Sequence, residues 1–237
     1  MASVRQFEDK ASLGQDLCKY IAEKSSQAIQ DHGFFTIGFS GGSLPSIVGN
    51  SIQQVSCDYG HWQVLLCDER YVSLDDKESN YNAYKQHIGR KLPTQVGGEI
   101  ILDYSLPLEA AAADYEKKLR SLYPGVSIPS LDLLLLGMGP DGHTCSLFPG
   151  HSLLTETSSL VSFISDSPKP PPQRITLTYP IINAAKSVAF VCTGEAKADV
   201  LKKIICDNDQ SFPSARVKLT NGEHIWFLDR GAASKLQ

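Results

Sequence analysis

Short apolar runs alternate with longer amphipathic segments along this chain, and several runs end in a polar cluster. Strands buried on both faces read as continuous apolar runs, whereas amphipathic helices repeat their apolar positions every three or four residues. The apolar runs predict strands at Phe34–Phe39, Gln63–Cys67, Glu99–Leu102, Leu131–Leu136, Arg174–Thr178, Ser187–Cys192 and His224–Leu228. The periodic segments predict helices at Ala11–Gln30, Glu78–Arg90, Leu108–Leu122 and Glu195–Ile205, and a short terminal helix.

This alternation predicts the fold class α/β, with a mostly parallel, Rossmann-like open sheet and helices on both of its faces. Pro45 suits the first turn of a further helix. A long stretch before Arg174 ends in the proline run 167–172. We expect this stretch to be irregular, because proline removes a backbone donor and fixes φ. Patterned segments lie on both sides of this run, so we expect a rigid loop inside a single α/β domain spanning residues 1–237.

Four predicted strands run directly into polar clusters. The clusters are Ser40–Ser43, Asp68–Arg70, the glycine-rich segment 137–143 and Thr193–Lys197. Ligands of open α/β sheets bind beyond the carboxyl ends of the strands. If the four strands are parallel, their clusters meet along one edge of the sheet and form the candidate site.

The segment Ser40-Gly41-Gly42-Ser43 has two interpretations, and the sequence leaves both open. Glycines let the backbone approach an anion closely and serine hydroxyls add donors, so the segment suits a phosphate group. The alternative is a tight turn between a strand and a helix, with Ser43 as the helix N-cap. The segment is too short for a Walker A loop and lacks the closing Lys-Ser/Thr.

Asp141 and His143 follow the most apolar of the predicted strands. Imidazole titrates near neutral pH, and a neighbouring carboxylate can hold one tautomer, so the two side chains suit general base catalysis. The alternative is a Pro-Asp-Gly turn beside a surface histidine. The remaining histidines have no comparable context and are expected to be surface or structural residues.

Cations stand at or near the predicted strand ends, namely Arg70, Arg174 and Lys197. Arg offers phosphate a planar fork of donors and Lys offers a compact charge, although each residue taken singly also fits a solvated surface position. Asp68 and Glu69 precede Arg70. We expect these carboxylates either to orient Arg70 and contact substrate hydroxyls or to cap a helix and form ion pairs.

Composition narrows the function classes. The 237 residues carry 22 Lys and Arg against 26 Asp and Glu, so the chain as a whole offers no basic footprint for nucleic acid. No apolar stretch approaches the roughly 20 residues of a membrane span, and Met1–Lys10 does not read as a secretory signal. The six scattered cysteines form no CxxC pair or zinc pattern, and they indicate a reduced, cytoplasmic setting.

The residues described above resemble the 6-phosphogluconolactonase family of the glucosamine/galactosamine-6-phosphate isomerase superfamily. The resemblance covers almost the full length, and the proline run is similar to that of cytosolic animal members. It is carried by Ser40–Ser43, Cys67–Arg70, the segment from Gly137 to Pro149 and the segment from Ser165 to Arg174.

The resemblance implies hydrolysis of 6-phospho-D-glucono-1,5-lactone to 6-phospho-D-gluconate, a step of the oxidative pentose phosphate pathway, without a metal or organic cofactor. It implies that His143 is the base that activates water and that Asp141 orients it. The residues it implies for holding phosphate and sugar are Ser40, Gly41, Gly42, Ser43, Asp68, Arg70, Arg174 and Lys197. The expected partner is the small lactone, with no nucleic acid, membrane or obligate protein partner.

Three other functions stay open. The related glucosamine-6-phosphate deaminases carry a glutamate shortly after the histidine, where this chain has Leu147-Phe148-Pro149, so isomerisation after ring opening is disfavoured. A non-catalytic sugar-phosphate sensor would not need Asp141 and His143, and we expect no helix-turn-helix segment before the domain. Residues 137–142 match GxGxxG, but Pro140 interrupts the pattern where a dinucleotide-binding helix should begin.

Overall fold

The computed structural model describes residues 2–236, which form two β-sheets surrounded by helices. The strands of the described chain are β1 (Ser3–Phe7), β2 (Phe35–Phe39), β3 (Trp62–Leu66), β4 (Asp68–Arg70), β5 (Gly98–Glu99), β6 (Leu133–Leu136), β7 (Val161–Ile164), β8 (Arg174–Leu177), β9 (Ser187–Cys192) and β10 (Glu223–Asp229). The larger sheet has seven strands in the order β1-β10-β9-β6-β2-β3-β5, and all of its pairs are parallel. The smaller sheet has the order β4-β8-β7 and is antiparallel.

The α-helices of the described residues are α1 (Lys10–His32), α2 (Leu44–Gly49), α3 (Asn80–His87), α4 (Leu108–Ser121), α5 (Tyr179–Asn183) and α6 (Ala198–Ile205). Helix α1 begins with a reciprocal cap between Asp9 and Ser12 and ends at Gly33, whose φ of 90° suits glycine. Pro45 lies in the first turn of α2, as predicted.

The central strands of the large sheet are buried on both faces, and they send alternate side chains into two cores. Leu133 and Leu135 of β6 belong to the core that contains α1 and α2, whereas Leu134 and Leu136 belong to the core that contains α4, α6 and the small sheet. This two-sided burial explains why the strand sequences are continuously apolar. The predicted fold class, an α/β fold with a mostly parallel open sheet and helices on both faces, is confirmed.

Several sequence predictions need correction. β1 was missed because none of its residues is buried and three of them are exposed, and β7 was missed inside a stretch predicted to be irregular. The predicted strand beginning at Arg174 exists, but it belongs to the small antiparallel sheet. The predicted terminal helix is wrong: residues 230–235 form turns, which Asp229 stabilises by accepting the backbone N–H of Ala232.

Cys67 joins the two sheets. It lies between the last residue of β3 and the first residue of β4. Its N–H donates to the carbonyl of Phe39 in the large sheet, at 2.9 Å, and its own carbonyl accepts the N–H of Leu177 in the small sheet, also at 2.9 Å. The small sheet is therefore fixed against the carboxyl edge of the large one.

Two loops complete this edge. The loop after β6 contains no helix between residues 137 and 151, which counts against the dinucleotide interpretation of its glycines. The proline run connects β7 with β8. Across residues 2–236, no helix is both long and apolar enough to cross a membrane. The six cysteines are unpaired, and the cytoplasmic setting stays a prediction.

Candidate functional site

The polar clusters meet at one cavity, as their positions after the strands predicted. The cavity has a volume of about 260 Å³ and lies at the carboxyl ends of β2, β6 and β9. Every predicted site residue except Asp141 lines it. The predicted residues in its wall are Ser40, Gly41, Gly42, Ser43, Asp68, Arg70, His143, Arg174 and Lys197.

Asp141 lies behind the cavity wall and contacts His143 there. Its Oδ1 is 2.5 Å from Nδ1 of the imidazole. A carboxylate at this distance accepts the Nδ1–H and thereby places the lone pair on Nε2. Since Nδ1 is occupied, Nε2 is the nitrogen available to a water molecule in the cavity.

Burial of the imidazole favours a neutral base. Burial lowers the pKa of His143 below its ordinary value, and Lys169 adds to the effect, while Asp141 opposes it. Burial alone would raise the pKa of Asp141, but the hydrogen bonds and charges of His143 and Lys169 outweigh it and lower the pKa to about 2. At neutral pH the arrangement is therefore an ionised carboxylate beside a neutral imidazole.

The loop after β6 is shaped around this pair. A Cβ on Gly139 would lie 2.0 Å from Nδ1 of His143 and 2.5 Å from Oδ1 of Asp141, so only glycine fits there. The N–H of Gly139 donates to the carbonyl of His143 at 2.9 Å and closes the loop. The buried ring of Phe148 packs on the imidazole, with centroids 4.7 Å apart. These contacts fix the orientation of His143.

Asp68 is held from two sides in the opposite wall. Its Oδ2 accepts the Ser146 hydroxyl at 2.8 Å, and the Asn80 side-chain amide lies 3.3 Å from Oδ1 and donates to the backbone carbonyl at 2.9 Å. Gly41 passes so close to Asn80 that an added Cβ would lie 1.9 Å from its Oδ1. Asn80 and Ser146 were not predicted, because nothing in the local sequence distinguishes them from ordinary helix-start and loop residues.

Glu69 is a structural residue. Its carboxylate is 2% exposed and accepts the backbone N–H groups of Arg70, Asn80 and Tyr81 and the Ser79 hydroxyl. Burial raises the pKa of Glu69, and these hydrogen bonds oppose the rise. Of the alternatives that the sequence left open for this residue, the cap of a helix, here α3, is the one observed.

Arg70 and Lys197 present positive charge to the cavity. Nη1 of Arg70 donates to the carbonyl of Glu78 at 2.8 Å, which fixes the guanidinium across the wall. Lys197 is half-buried, and burial lowers its pKa, with a further contribution from Lys169. A partly desolvated cation gains more from an incoming anion than a hydrated one does.

Arg174 lines the cavity, but most of its guanidinium is engaged by the proline loop. The side chain is 3% exposed. Its Nε donates to the carbonyl of Pro171, and one Nη donates to the carbonyls of Lys169 and Pro170, at 2.8 to 3.0 Å. The other Nη lies 4.0 Å from Asp68. The prediction that Arg174 holds phosphate stays untested, and its observed contacts are to the loop.

Two buried polar atoms in the wall have no hydrogen-bond partner within residues 2–236. They are the hydroxyl oxygen of Ser40 and Nε of Arg70. Unpaired buried polar atoms are costly, and they mark positions where a polar ligand would restore hydrogen bonds. Ser43 occupies the N-cap position of α2, as the turn interpretation of the serine-glycine segment predicted, but its hydroxyl makes no capping hydrogen bond.

Lys169 is another residue near the site that the candidate set omitted. Its Nζ lies 3.2 Å from Oδ1 of Asp141 and 3.1 Å from Nδ1 of His143. The available signal was a single cation inside a segment otherwise rich in proline. For metals, the described part of the chain holds no group of three or more His, Cys, Asp or Glu that could bind an ion.

Known proteins share both the sequence and the fold. A family model described as glucosamine-6-phosphate isomerases/6-phosphogluconolactonase matches residues 8–226. The chain is 45% identical to a 6-phosphogluconolactonase of Rattus norvegicus and to one of Homo sapiens, and each alignment covers 97% of this chain and 92% of the relative.

Solved structures agree with the sequence relatives. A 6-phosphogluconolactonase from Thermotoga maritima superposes with a TM-score of 0.84 at 27% identity, covering 97% of this chain and all of the other. One from Trypanosoma brucei gives a TM-score of 0.84 at 27% identity, covering 100% of this chain and 99% of the other. The family match extends over nearly the whole chain and over every strand end that lines the cavity, so the chain belongs to the glucosamine-6-phosphate isomerase/6-phosphogluconolactonase family.

Proposed function

We propose that this chain is a 6-phosphogluconolactonase that hydrolyses 6-phospho-D-glucono-1,5-lactone to 6-phospho-D-gluconate in the pentose phosphate pathway. The relatives at 45% identity carry this enzyme name and support the assignment. One observation carries the chemistry: the imidazole of His143, held by Asp141, stands in the wall of a cavity that also contains Arg70, Arg174 and Lys197. We also propose that the chain acts as one α/β domain, since both sheets contribute to this cavity.

In the proposed reaction, neutral His143 removes a proton from water through Nε2 as the water oxygen bonds to the lactone carbonyl carbon. The ring C–O bond then breaks, and the imidazolium returns the proton to the departing ring oxygen. Asp141 stabilises the imidazolium and keeps the proton of the neutral ring on Nδ1. A positioned base of this kind contributes about 10²- to 10⁴-fold in rate.

Binding of the phosphorylated sugar uses the rest of the wall. Arg70 and Lys197 supply positive charge for the phosphate, and Ser40 and the Nε of Arg70 supply the buried donors that lack partners. Asp68, fixed by Ser146, is placed to accept hydrogen bonds from sugar hydroxyls. Anchoring the phosphate holds the carbonyl near the base, so binding energy is converted into orientation.

The family also contains glucosamine-6-phosphate isomerases, so the reaction type needs its own support. In this chain the segment after His143 is apolar, and Leu147 and Phe148 are 0% and 1% exposed. A buried apolar segment offers no carboxylate for opening a sugar ring. Lactone hydrolysis needs only the base, the water and the polar wall.

The test follows the loss of freshly prepared 6-phosphogluconolactone with and without the purified protein, corrected for spontaneous opening. We expect a rate proportional to protein concentration and 6-phosphogluconate as the product. A parallel incubation with glucosamine 6-phosphate measures ammonia release, and a titration with NADP measures dinucleotide binding. Ammonia release without lactone turnover would replace the proposal with a deaminase, and saturable NADP binding alone would replace it with a dinucleotide-binding function.

A further inference from the structure

Lys169 reaches the His143–Asp141 pair from a separate part of the chain. The pair follows β6, whereas Lys169 lies in the loop between β7 and β8. Its Nζ is on the Nδ1 side of the ring, 3.1 Å from Nδ1 and 3.2 Å from Oδ1 of Asp141. Lys169 and Asp141 are both missing from the described residues that line the cavity. The ammonium is therefore placed to act on the pair rather than on a ligand.

The loop holds Lys169 by its backbone. The Ser167 hydroxyl donates to the carbonyl of Lys169 at 2.8 Å, and the N–H of Ser167 donates to the carbonyl of Pro172 at 3.1 Å. The buried guanidinium of Arg174 donates to three consecutive carbonyls, beginning with that of Lys169. Prolines on both sides restrict φ. Little freedom remains except in the lysine side chain itself, and a preorganised support of this kind is what a precise site requires.

We propose that Lys169 is a positioning residue for lactone hydrolysis, an inference that rests on the proposed function. Its ammonium holds the Asp141 carboxylate against Nδ1 of His143 and places a positive charge beside the ring. The carboxylate then accepts both Nδ1–H and Nζ–H, so the lone pair of the imidazole stays on Nε2. The positive charge also disfavours the imidazolium, and this keeps the base unprotonated at neutral pH.

The charges around His143 oppose one another, which makes the contribution of Lys169 separable. Asp141 and Asp68 favour the protonated ring, and Lys169 disfavours it. The other charged residues of the cavity wall are Arg70, Arg174 and Lys197. Removal of the Lys169 charge leaves both carboxylates in place, so the pKa of His143 must rise. Replacement by another cation must leave it nearly unchanged.

The experiment compares Lys169→Met with Lys169→Arg across a pH series. For Lys169→Met we expect kcat to fall about tenfold with KM changed less than about twofold, since the residue does not touch substrate. The acid limb of kcat/KM is expected to move upward by about 0.5 to 1 pH unit, a modest shift because solvent screens a pair whose side chains are each more than one-third exposed. Lys169→Arg restores the wild-type limb.

The matched control is Lys235→Met, which removes a lysine paired with Asp199 at 2.6 Å, away from the cavity. It is expected to leave the acid limb and kcat unchanged. An unshifted limb and wild-type kcat in Lys169→Met would overturn the inference. A selective rise in KM would overturn it as well, because that result indicates direct contact with substrate.

A measurement without substrate separates this inference from the proposed function. The nitrogen and carbon-bound proton resonances of the His143 ring report its tautomer and its pKa in the free protein. We expect Lys169→Met to raise that pKa and to reduce the fraction of the ring with its proton on Nδ1. If the wild-type protein fails to hydrolyse the lactone but this shift is present, the proposed function fails and the positioning role remains. If turnover is present and the resonances are unchanged, only the positioning role fails.

Discussion

Strand β6 has a histidine–aspartate pair at each end. The two pairs contain the same chemical groups but differ in their hydrogen bonding and in whether a cavity lies beside them. Asp132 precedes the strand and lies 2.9 Å from Nε2 of His32. Asp141 follows the strand and lies 2.5 Å from Nδ1 of His143. The first pair is at the amino edge of the parallel sheet, and the second is at the carboxyl edge, beside the cavity.

The amino-edge pair is saturated. The carboxylate of Asp132 is 3% exposed and accepts four donors: the His32 ring, the Lys186 ammonium, and the N–H and hydroxyl of Thr36. Tyr123 completes the network through the Thr36 hydroxyl. Every strong acceptor position is used within the fold, so this network holds α1, β2 and the start of β6 together.

The carboxyl-edge pair has an open end. Nδ1 of His143 is engaged, but the ring stands in a cavity wall that contains unpartnered polar atoms and an excess of cations. The contrast teaches that a histidine–aspartate contact is not itself a catalytic signature. What distinguishes the candidate site is that its imidazole lines a cavity where a ligand fits.

The largest expected effect tests this contrast in activity. His143→Ala is expected to lower kcat for lactone hydrolysis by about 10²- to 10⁴-fold, because the base is lost. His32→Ala removes the other imidazole and is expected to leave kcat per folded molecule unchanged. Steady-state rates, corrected for spontaneous opening and for folded fraction by circular dichroism, provide the measurement. Near-normal turnover in His143→Ala would remove that residue from its proposed role.

The next effect is on stability, and here the amino-edge pair is expected to matter more than the carboxyl-edge pair. Asp132→Ala is expected to lower the free energy of unfolding by about 3 kcal/mol, since it leaves the buried N–H of Thr36, the Lys186 ammonium and the His32 ring without their acceptor. Asp141→Ala removes a carboxylate that is about one-third exposed and is expected to cost less than about 1 kcal/mol. Urea unfolding of both variants provides the comparison, and equal losses would contradict it.

A smaller effect concerns two lysines. Lys197 lines the cavity, whereas Lys186 lies 2.8 Å from Asp132. Lys197→Ala is expected to raise KM for the phosphorylated lactone about tenfold, the effect of one lost hydrogen bond to a charged group, with kcat nearly unchanged. For Lys186→Ala we expect a wild-type KM. Initial rates over a range of lactone concentrations decide the matter, and an unchanged KM in Lys197→Ala would count against its phosphate contact.

The smallest effect is the position of the acid limb in the wild-type protein. Because burial lowers the pKa of His143 from 6.5, the ring of the folded protein becomes half-protonated only at a pH below 6.5. Activity requires the neutral ring, so kcat/KM is expected to be flat near pH 7 and to fall only below pH 6.5. Initial rates in overlapping buffers measure this limb. A limb above pH 6.5 would mean that Asp141 outweighs burial and Lys169.

The sequence predicted the carboxyl edge better than the rest of the molecule, and the reason is physical. The apolar run ending at Leu136 identifies a buried strand, and the topology of parallel sheets then determines where Asp141 and His143 lie. β1 gave a weaker signal, because it is an edge strand that pairs only with β10 and its side chains are largely exposed.

Hydrogen-bond partners supplied by distant segments were beyond sequence reasoning. Arg174 was predicted to bind substrate from its charge and position, but its guanidinium donates to the backbone carbonyls of a loop that only the folded chain brings near. Lys169 was omitted because no local sequence pattern indicates that the loop between β7 and β8 lies beside the loop after β6. The type of a residue predicts which interactions its side chain can make, whereas the acceptor that each donor finds depends on tertiary contacts.

The position of Cys67 has a consequence for how ligand enters. Cys67 makes a backbone hydrogen bond to each sheet. A movement that separated the two sheets would therefore have to break one of these two hydrogen bonds. We therefore expect a preformed cavity, with the same spacing between its walls in the presence and in the absence of ligand. Ligand entry and exit are then expected to need only movements of side chains at the rim, and crystals grown without ligand are expected to admit the product by soaking without cracking.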